Sequence, residues 1–280
     1  GWWPRAATSI ERHCTDNPGM LFLLSPAKRL DYETPVPPER AALATTPQRM
    51  GDAAELIAVM KAKTPVQVAR LMDLSDELAA LNVARYAAWS RRNSARNSRP
   101  AVLAFAGDVY EGLQAETLTL DELAWAQQHV IILSGLYGHL RPLDKLQPYR
   151  LEMGTAVATG RGRDLYAFWG DAIAEHLNRL QRGERAPIVV NLASQEYSRA
   201  ALRPALKARV VECVFEEGKG GGQYRIVSFF AKKARGAMAR FACRYRIESP
   251  EALRDFDEDG YAFAPKASSD DRLVFRRRAA

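Results

Sequence analysis

The chain has 280 residues, of which 47% are apolar and 26% charged, with 40 Lys and Arg against 33 Asp and Glu for a formal net charge of +7. That is the composition of a globular protein able to bury a sizeable core, and no apolar run approaches the roughly 20 residues of a membrane span. The excess of positive charge suits an acidic partner.

Residues 1–19, GWWPRAATSIERHCTDNPG, lack the apolar stretch of a secretory signal and are expected to be a poorly ordered extension ahead of Met20. From there, four short apolar runs predict core strands: Met20 to Leu24, Ala101 to Phe105, Val130 to Leu133 and Ile188 to Leu192. Each turns abruptly polar, into Ser25 and Lys28, Gly107 with Asp108 and Tyr110, Gly135 with Tyr137 and Gly138, and Ser194 with Glu196 and Tyr197. Helical patterns lie between them, so the expected architecture is mixed α/β, a central mixed sheet with a ligand crevice at the carboxyl ends of its strands.

Between Pro47 and Trp89 the pattern is helical. Thr64-Pro65-Val66-Gln67 has the makings of a capping box, with a Thr cap, Pro at the first helical position and Gln at the third. A helix ending near Met72, a tiny connection and a second start at Ser75 predict an inserted element like a helix-hairpin-helix, which grips phosphate through backbone N–H groups. The copy lacks the hairpin glycine, and Asp76 and Glu77 stand where phosphate would approach, so a packing corner is the other reading. Two hairpins are expected to flank the sheet, Val210 to Glu216 with Gln223 to Phe229 across Glu217 to Gly222, and Tyr261 to Ala264 with Arg272 to Arg276.

The stretch Ser134 to Gly154, SGLYGHLRPLDKLQPYRLEMG, carries glycines, tyrosines, arginines and acids directly behind an apolar strand, which is the make-up of a site. Between Lys219 and Ile247 there are eight basic residues and no acid, and Arg85 to Arg99 is a second acid-free basic zone. On a helix from about Phe230 to Tyr245, Phe230, Ala234, Met238, Phe241 and Tyr245 should face the core while Lys233, Arg240 and Arg244 form a cationic ridge able to track phosphates. Gly236 inside that helix marks close backbone packing or ligand approach.

Several chemistries are poorly supported. Cys14, Cys213 and Cys243 form no C-x-x-C pair, and the latter two sit among apolar residues as small buried hydrophobes, so thiol peroxidase chemistry is not expected. The histidines at 13, 129, 139 and 176 show no metal-ligand spacing, and no metal site or cofactor is expected. Ser25 and Ser134 lie in no G-x-S-x-G elbow, and Gly135-x-x-Gly138 is neither a P-loop nor a dinucleotide fingerprint.

Six segments in order resemble one family. They are Leu24-Ser25-Pro26-Ala27-Lys28 with Leu30-Asp31-Tyr32; Phe105-x-Gly107-Asp108-Val109-Tyr110-x-Gly112-Leu113; the Ser134 to Gly154 stretch; Asp164-Leu165-Tyr166-x-Phe168-Trp169-Gly170-Asp171; Asn191-Leu192-Ala193-Ser194-x-Glu196-Tyr197; and Ser228-Phe229-x-Ala231-Lys232-Lys233-Ala234-Arg235-Gly236. The set resembles the YaaA family of bacterial cytoplasmic peroxide-stress proteins, from Met20 to about Arg277. The resemblance implies residues 20–280 as one domain with 47–89 a helical subdomain, a mixed α/β fold with a positively charged cleft, a helix-hairpin-helix, binding to duplex DNA and lowered free intracellular iron.

Two functions follow as expectations. The first is a DNA-binding protein of the peroxide response, taking duplex or distorted DNA largely without regard to sequence. Lys28, Arg141, Arg150, Lys232, Lys233, Arg235, Arg240 and Arg244 would contact phosphates, and Ser75 would contribute from the hairpin. The second is an enzyme acting on a nucleotide, nucleobase or damaged base, with Asp108 or Glu196 as acid and base, assisted by Tyr110. Mixed acids and cations (Asp108, Glu152, Asp171 and Glu196 beside Lys28, Arg141, Arg150, Lys232 and Lys233) suit a small polar substrate better than a bare polyanion, or form an internal salt-bridge network.

Overall fold

A computed structural model describes residues 17–278, so the expectations about residues 1–16, Cys14 and His13 among them, lie outside the described residues. The centre is an eight-stranded mixed sheet. Its strands are β1 (Met20–Leu24), β2 (Val130–Ser134), β3 (Gly138–Leu140), β4 (Ile188–Leu192), β5 (Arg209–Gly220), β6 (Gln223–Arg225), β7 (Ala262–Phe263) and β8 (Arg272–Arg277). They lie in the order β3-β2-β1-β4-β5-β8-β7, with β6 beside β5. β1 runs parallel to β2, with Phe22 opposite Val130, and to β4, with Leu24 opposite Leu192. Parallel strands covered on both faces must be apolar throughout, and every residue of β1 and β2 is buried.

The helices used below are α1 (Met50–Lys61), α2 (Pro65–Met72), α3 (Asp76–Ala88), α4 (Asp108–Leu113), α5 (Leu120–His129), α6 (Leu165–Trp169), α7 (Ala172–Leu180), α8 (Gln195–Ala201) and α9 (Ser228–Tyr245). The capping box at Thr64 forms as expected, the Thr64 hydroxyl accepting from Gln67 N and the Gln67 side chain from Thr64 N. Ser75 Oγ accepts from Leu78 N and starts α3, while Asp73 turns the chain in the left-handed region at φ 51°. Helices α2 and α3 therefore form a tight hairpin, and Asp76 and Glu77 are exposed at its corner.

Three predicted features differ. Residues Ala101–Ala104 form one helical turn, not a strand, after Pro100 fixes the entry at φ −51°. A buried run this short satisfies either period, and two alanines favour the helix where, among the described residues, the only strand-like pairing of the run is a single bridge from Phe105 to Leu30. The second hairpin forms, but the first forms in another place: Val210 to Glu216 pair parallel with β4 and β8, and Glu217 to Gly220, expected as loop, pair antiparallel with Gln223–Arg225, so both hairpins extend the central sheet instead of flanking it. The first hairpin also turns tightly through Gly220, Gly221 and Gly222, all at positive φ, and the chain is helical from Ser228.

One backbone contact sets the position of the site. A Cβ on Gly236 of α9 would stand 1.7 Å from Val109 O, and one on Gly112 of α4 would stand 1.9 Å from Lys233 O. Two glycines facing one another let the α4 and α9 backbones cross in direct contact, which assigns Gly236 to packing. The crossing brings Asp108 at the start of α4 and the early turns of α9 to one place above the strand ends.

Candidate functional site

That place is a cleft of about 670 Å³, within the usual range for a small-ligand site. Residues from five segments line it: Ser25 to Arg29 behind β1, Ala106 to Glu111, Tyr149 to Glu152, Ser194 with Glu196 and Tyr197 behind β4, and Phe229, Lys232 and Arg235 of α9. Three of the four loops expected to converge do so. The fourth, at Gly135 to Gly138, is fully buried and enters the core instead. Its physical reason is close packing, since a Cβ on Gly135 would stand 2.1 Å from Leu151 O and Gly138 lies against the Trp169 ring.

A layer of hydroxyls holds the loops in place. Ser194 N donates to Ser25 Oγ at 2.8 Å, tying the ends of β1 and β4 together. Tyr110 OH donates to Ser25 O at 2.9 Å, and burial pushes its phenol well above its ordinary pKa. Tyr110 therefore holds the Ser25 loop and does not line the cleft. Below, Ser134 Oγ and Tyr149 OH share a 2.6 Å hydrogen bond, and Trp89 Nε1 donates to Tyr137 OH at 3.0 Å. Burial raises Tyr149 and Tyr197 as well, so these phenols stay protonated as donors and apolar walls.

The charges of the cleft are mixed. Lys28, Arg29, Arg150, Lys232 and Arg235 face Asp108, Glu111, Glu152 and Glu196. Glu152 Oε1 accepts from Arg150 Nε at 3.0 Å and lies 3.8 Å from Lys28 Nζ, while its Oε2 is buried without a partner. Glu196 Oε1 accepts from Gly154 N at 2.9 Å. Arg29 pairs with Glu111 at 3.2 Å. Lys232 is exposed at the rim, and burial lowers the pKa of the Arg235 guanidinium. Two cations at the rim over a floor holding a paired carboxylate can take an anionic group above and a hydrogen-bond donor below.

The cleft thus brings together Lys28, Arg150, Lys232 and Arg235 of the nine expected phosphate contacts, with Asp108 and Glu196 of the expected acid–base residues. It does not bring the other five. Arg141 is held by Asp144 at 2.8 Å and by Thr46 O, beside the stacked rings of His139 and His176. Burial and then the charges of Arg179, Arg49 and Arg141 draw the His176 pKa down to about 4. Arg240 is only 9% exposed and ion-paired with Glu258, and Arg244 bonds Thr117 Oγ1. Lys233 points to a neighbouring hollow, and Ser75 Oγ is spent on its helix cap. Asp171 pairs with Arg203 at 2.6 Å, outside the cleft. On α9, Ala234, Met238 and Phe241 are buried as expected, whereas Phe230 and Tyr245 are 38% and 67% exposed.

Phe229, 51% exposed, and the Arg29–Glu111 pair are cleft features not expected from the sequence. The aromatic doublet behind Ser228 was the available signal for the first. Arg29 and Glu111 lie 82 residues apart and gave none. Among the described residues, no group of three or more His, Cys, Asp or Glu side chains is placed to hold a metal ion, and no helix is long and apolar enough to cross a membrane.

Comparison with known proteins agrees with the six motifs. The family model described as peroxide stress protein YaaA matches residues 20–267. A UPF0246 protein of Leptothrix cholodnii is 61% identical over 261 residues, covering 93% of this chain and 100% of that protein. UPF0246 proteins of Variovorax paradoxus and Bordetella petrii are 60% and 58% identical, the first over 92% of this chain and 99% of its own length, the second over 93% and 100%.

Proposed function

The chain belongs to the peroxide stress protein YaaA family, and from that premise and the chemistry of the cleft we propose that it binds DNA in the peroxide response, with one nucleotide unit of a distorted site entering the cleft. The observation that carries this reading is the convergence of Lys28, Arg150, Lys232 and Arg235 on one hollow whose walls also hold four carboxylates. A groove for continuous duplex works by tracking phosphates with one sign of charge. Four carboxylates oppose that, and confine phosphate to the rim. A single nucleotide fits the mixture better. Its phosphate suits Lys28 and Lys232, its ring suits Phe229 and Tyr149, and its N–H groups suit carboxylate acceptors. Unstacking is least costly where the duplex is already mismatched or damaged, which links the cleft to distorted DNA. On this reading, any effect on free iron is indirect.

Fluorescence anisotropy with labelled duplexes tests it, comparing a continuous duplex with one carrying a central mismatch at two salt concentrations. The mismatched duplex should bind more tightly, both should weaken with salt, and excess mononucleotide should displace the mismatched one. A Lys28→Ala, Lys232→Ala variant should lose the preference. Equal binding of both duplexes, untouched by that variant, would reject the reading.

The four carboxylates also favour a second reading, an enzyme acting on the nucleotide or damaged base, since acids that accept from a base can also serve as acid and base in a reaction on it. Asp108→Asn and Glu196→Gln separate the two. A binder keeps or tightens its affinity on losing negative charge, whereas an enzyme keeps binding and loses turnover.

A further inference from the structure

A groove of about 1140 Å³ lies outside the cleft between the β5–β6 hairpin and β7–β8. A hollow of about 180 Å³ joins the two. Phe229 borders both cleft and hollow, while Phe230, Asp259 and Arg277 border both hollow and groove. Cleft, hollow and groove thus form one line around the start of α9. Its crest is the Phe229–Phe230 pair, whose exposed rings meet edge to face at 5.3 Å, with Lys232 on the cleft side and Lys233 on the hollow side.

The groove is built of flat aromatic and guanidinium surfaces. Arg276 stacks over Tyr224 at 4.2 Å, and Arg277 lies over Phe230 at 4.5 Å and Tyr261 at 4.8 Å. Arg276 and Arg277 are neutralised by Glu216 and Glu217, at 2.8 and 2.5 Å. Arg225, Lys266 and Arg278 line the groove, are exposed, and have no ion-pair partner among the described residues. Two carboxylates face the groove, and with Glu217 engaged by Arg277, Asp259 is the one left to oppose an anion.

We infer that this line is a binding track for single-stranded nucleic acid, with bases stacked on the Arg277–Phe230 and Arg276–Tyr224 layers and phosphates held by Lys233, Arg225 and Lys266. Free cations interleaved with an exposed and a half-buried ring, Phe230 and Tyr224, suit a single strand: every base has a face to stack and every residue a phosphate. An acidic peptide would use the cations and leave the rings idle. The track extends the proposed function, because a strand unpaired at a distorted site would run from the cleft into the groove. It rests on that reading for its biological role and not for its own existence.

The experiment is anisotropy with labelled oligodeoxythymidylates of about 4 and about 12 nucleotides, spanning the range of single-strand site sizes. The longer strand should bind more tightly, with a marked salt dependence. Phe230→Ala should weaken it by about tenfold, and Arg225→Ala with Lys266→Ala should flatten its salt slope. All three side chains are exposed, so unchanged circular dichroism is expected and verifies the fold. Mononucleotide binding should be unaffected, because none of the three lines the cleft. Two outcomes overturn the track: oligonucleotide binding indifferent to both groove variants, or displacement by polyglutamate as effective as by unlabelled strand of equal charge. If Lys28→Ala, Lys232→Ala changes nothing while the groove variants lose the strand, the cleft reading fails and the track stands alone.

Discussion

The two halves of α9 are both basic, aromatic-bearing and free of acids, and they have opposite fates. Its first nine residues, Ser228 to Gly236, put Phe229, Phe230, Lys232, Lys233 and Arg235 on or near open cavities. Its second nine, Ala237 to Tyr245, are buried from Ala237 through Cys243, and the one cation in that run, Arg240, is sealed with Glu258. Both halves are acid-free, so local charge does not separate them. What separates them is coverage: α4 crosses at Gly236 and the 258–260 segment closes over Arg240. A cation ridge drawn from helical spacing describes the isolated helix, and the site is what the neighbours leave uncovered.

The crossing itself is the first place to break this division. Gly236→Ala puts a methyl 1.7 Å from Val109 O, a backbone atom that cannot swing away. The variant should lose about 3 kcal/mol or more of stability, measured by denaturant titration. Gly112→Ala should behave alike, from the other face of the same contact, with Lys233 O at 1.9 Å. An ordinary stability for either variant would mean that α4 and α9 do not meet there.

Charges on the two halves should then fail in different assays. Arg240→Ala leaves Glu258 without its partner in a half-closed setting, where the side chains are 11% and 21% exposed. We expect a loss of about 2 kcal/mol, less than for a fully buried pair, with nucleic-acid affinity unchanged. Adding Glu258→Gln should restore part of it. Lys232→Ala should do the reverse, leaving stability within about 0.5 kcal/mol and reducing affinity and its salt slope. If Arg240→Ala weakened binding at unchanged stability, the ridge drawn from sequence would be right after all.

Much of the frame was legible because the physics involved is local. Continuous apolar runs marked β1, β2 and β4, and the Thr64 and Ser75 caps fixed two helix starts, since a cap is written within four residues. The polar residues behind β1 and β4 were also legible as cleft residues, a consequence of parallel topology. Other features depended on partners remote in the chain. Nothing near Arg240 announces Glu258, nothing near Arg141 announces that Thr46 O will join the neighbouring Asp144 in holding it, and the Tyr110 hydroxyl is committed to Ser25 O, 85 residues away. The Ala101 to Phe105 run failed for a different reason, because five apolar residues fit a buried turn of helix as well as a strand.

The smallest expected effect is also the one closest to peroxide chemistry. Cys243 lies in the covered half of α9 at 0% exposure, and burial pushes its thiol up to about 12; Cys213 on β5 is likewise raised to about 12. A thiol reacts as its thiolate, so a raised pKa leaves almost none at pH 8, and burial removes access to what remains. In a Cys14→Ser background, neither cysteine should react measurably with a disulfide reagent at pH 8 until the protein is unfolded. Lys232→Cys, on the open half of the same helix, should be labelled in the native state. Both thiols sit on one helix and differ only in what covers them. Rapid native labelling at Cys243 would show that the covered half opens, and would return a thiol to the account of how this protein meets peroxide.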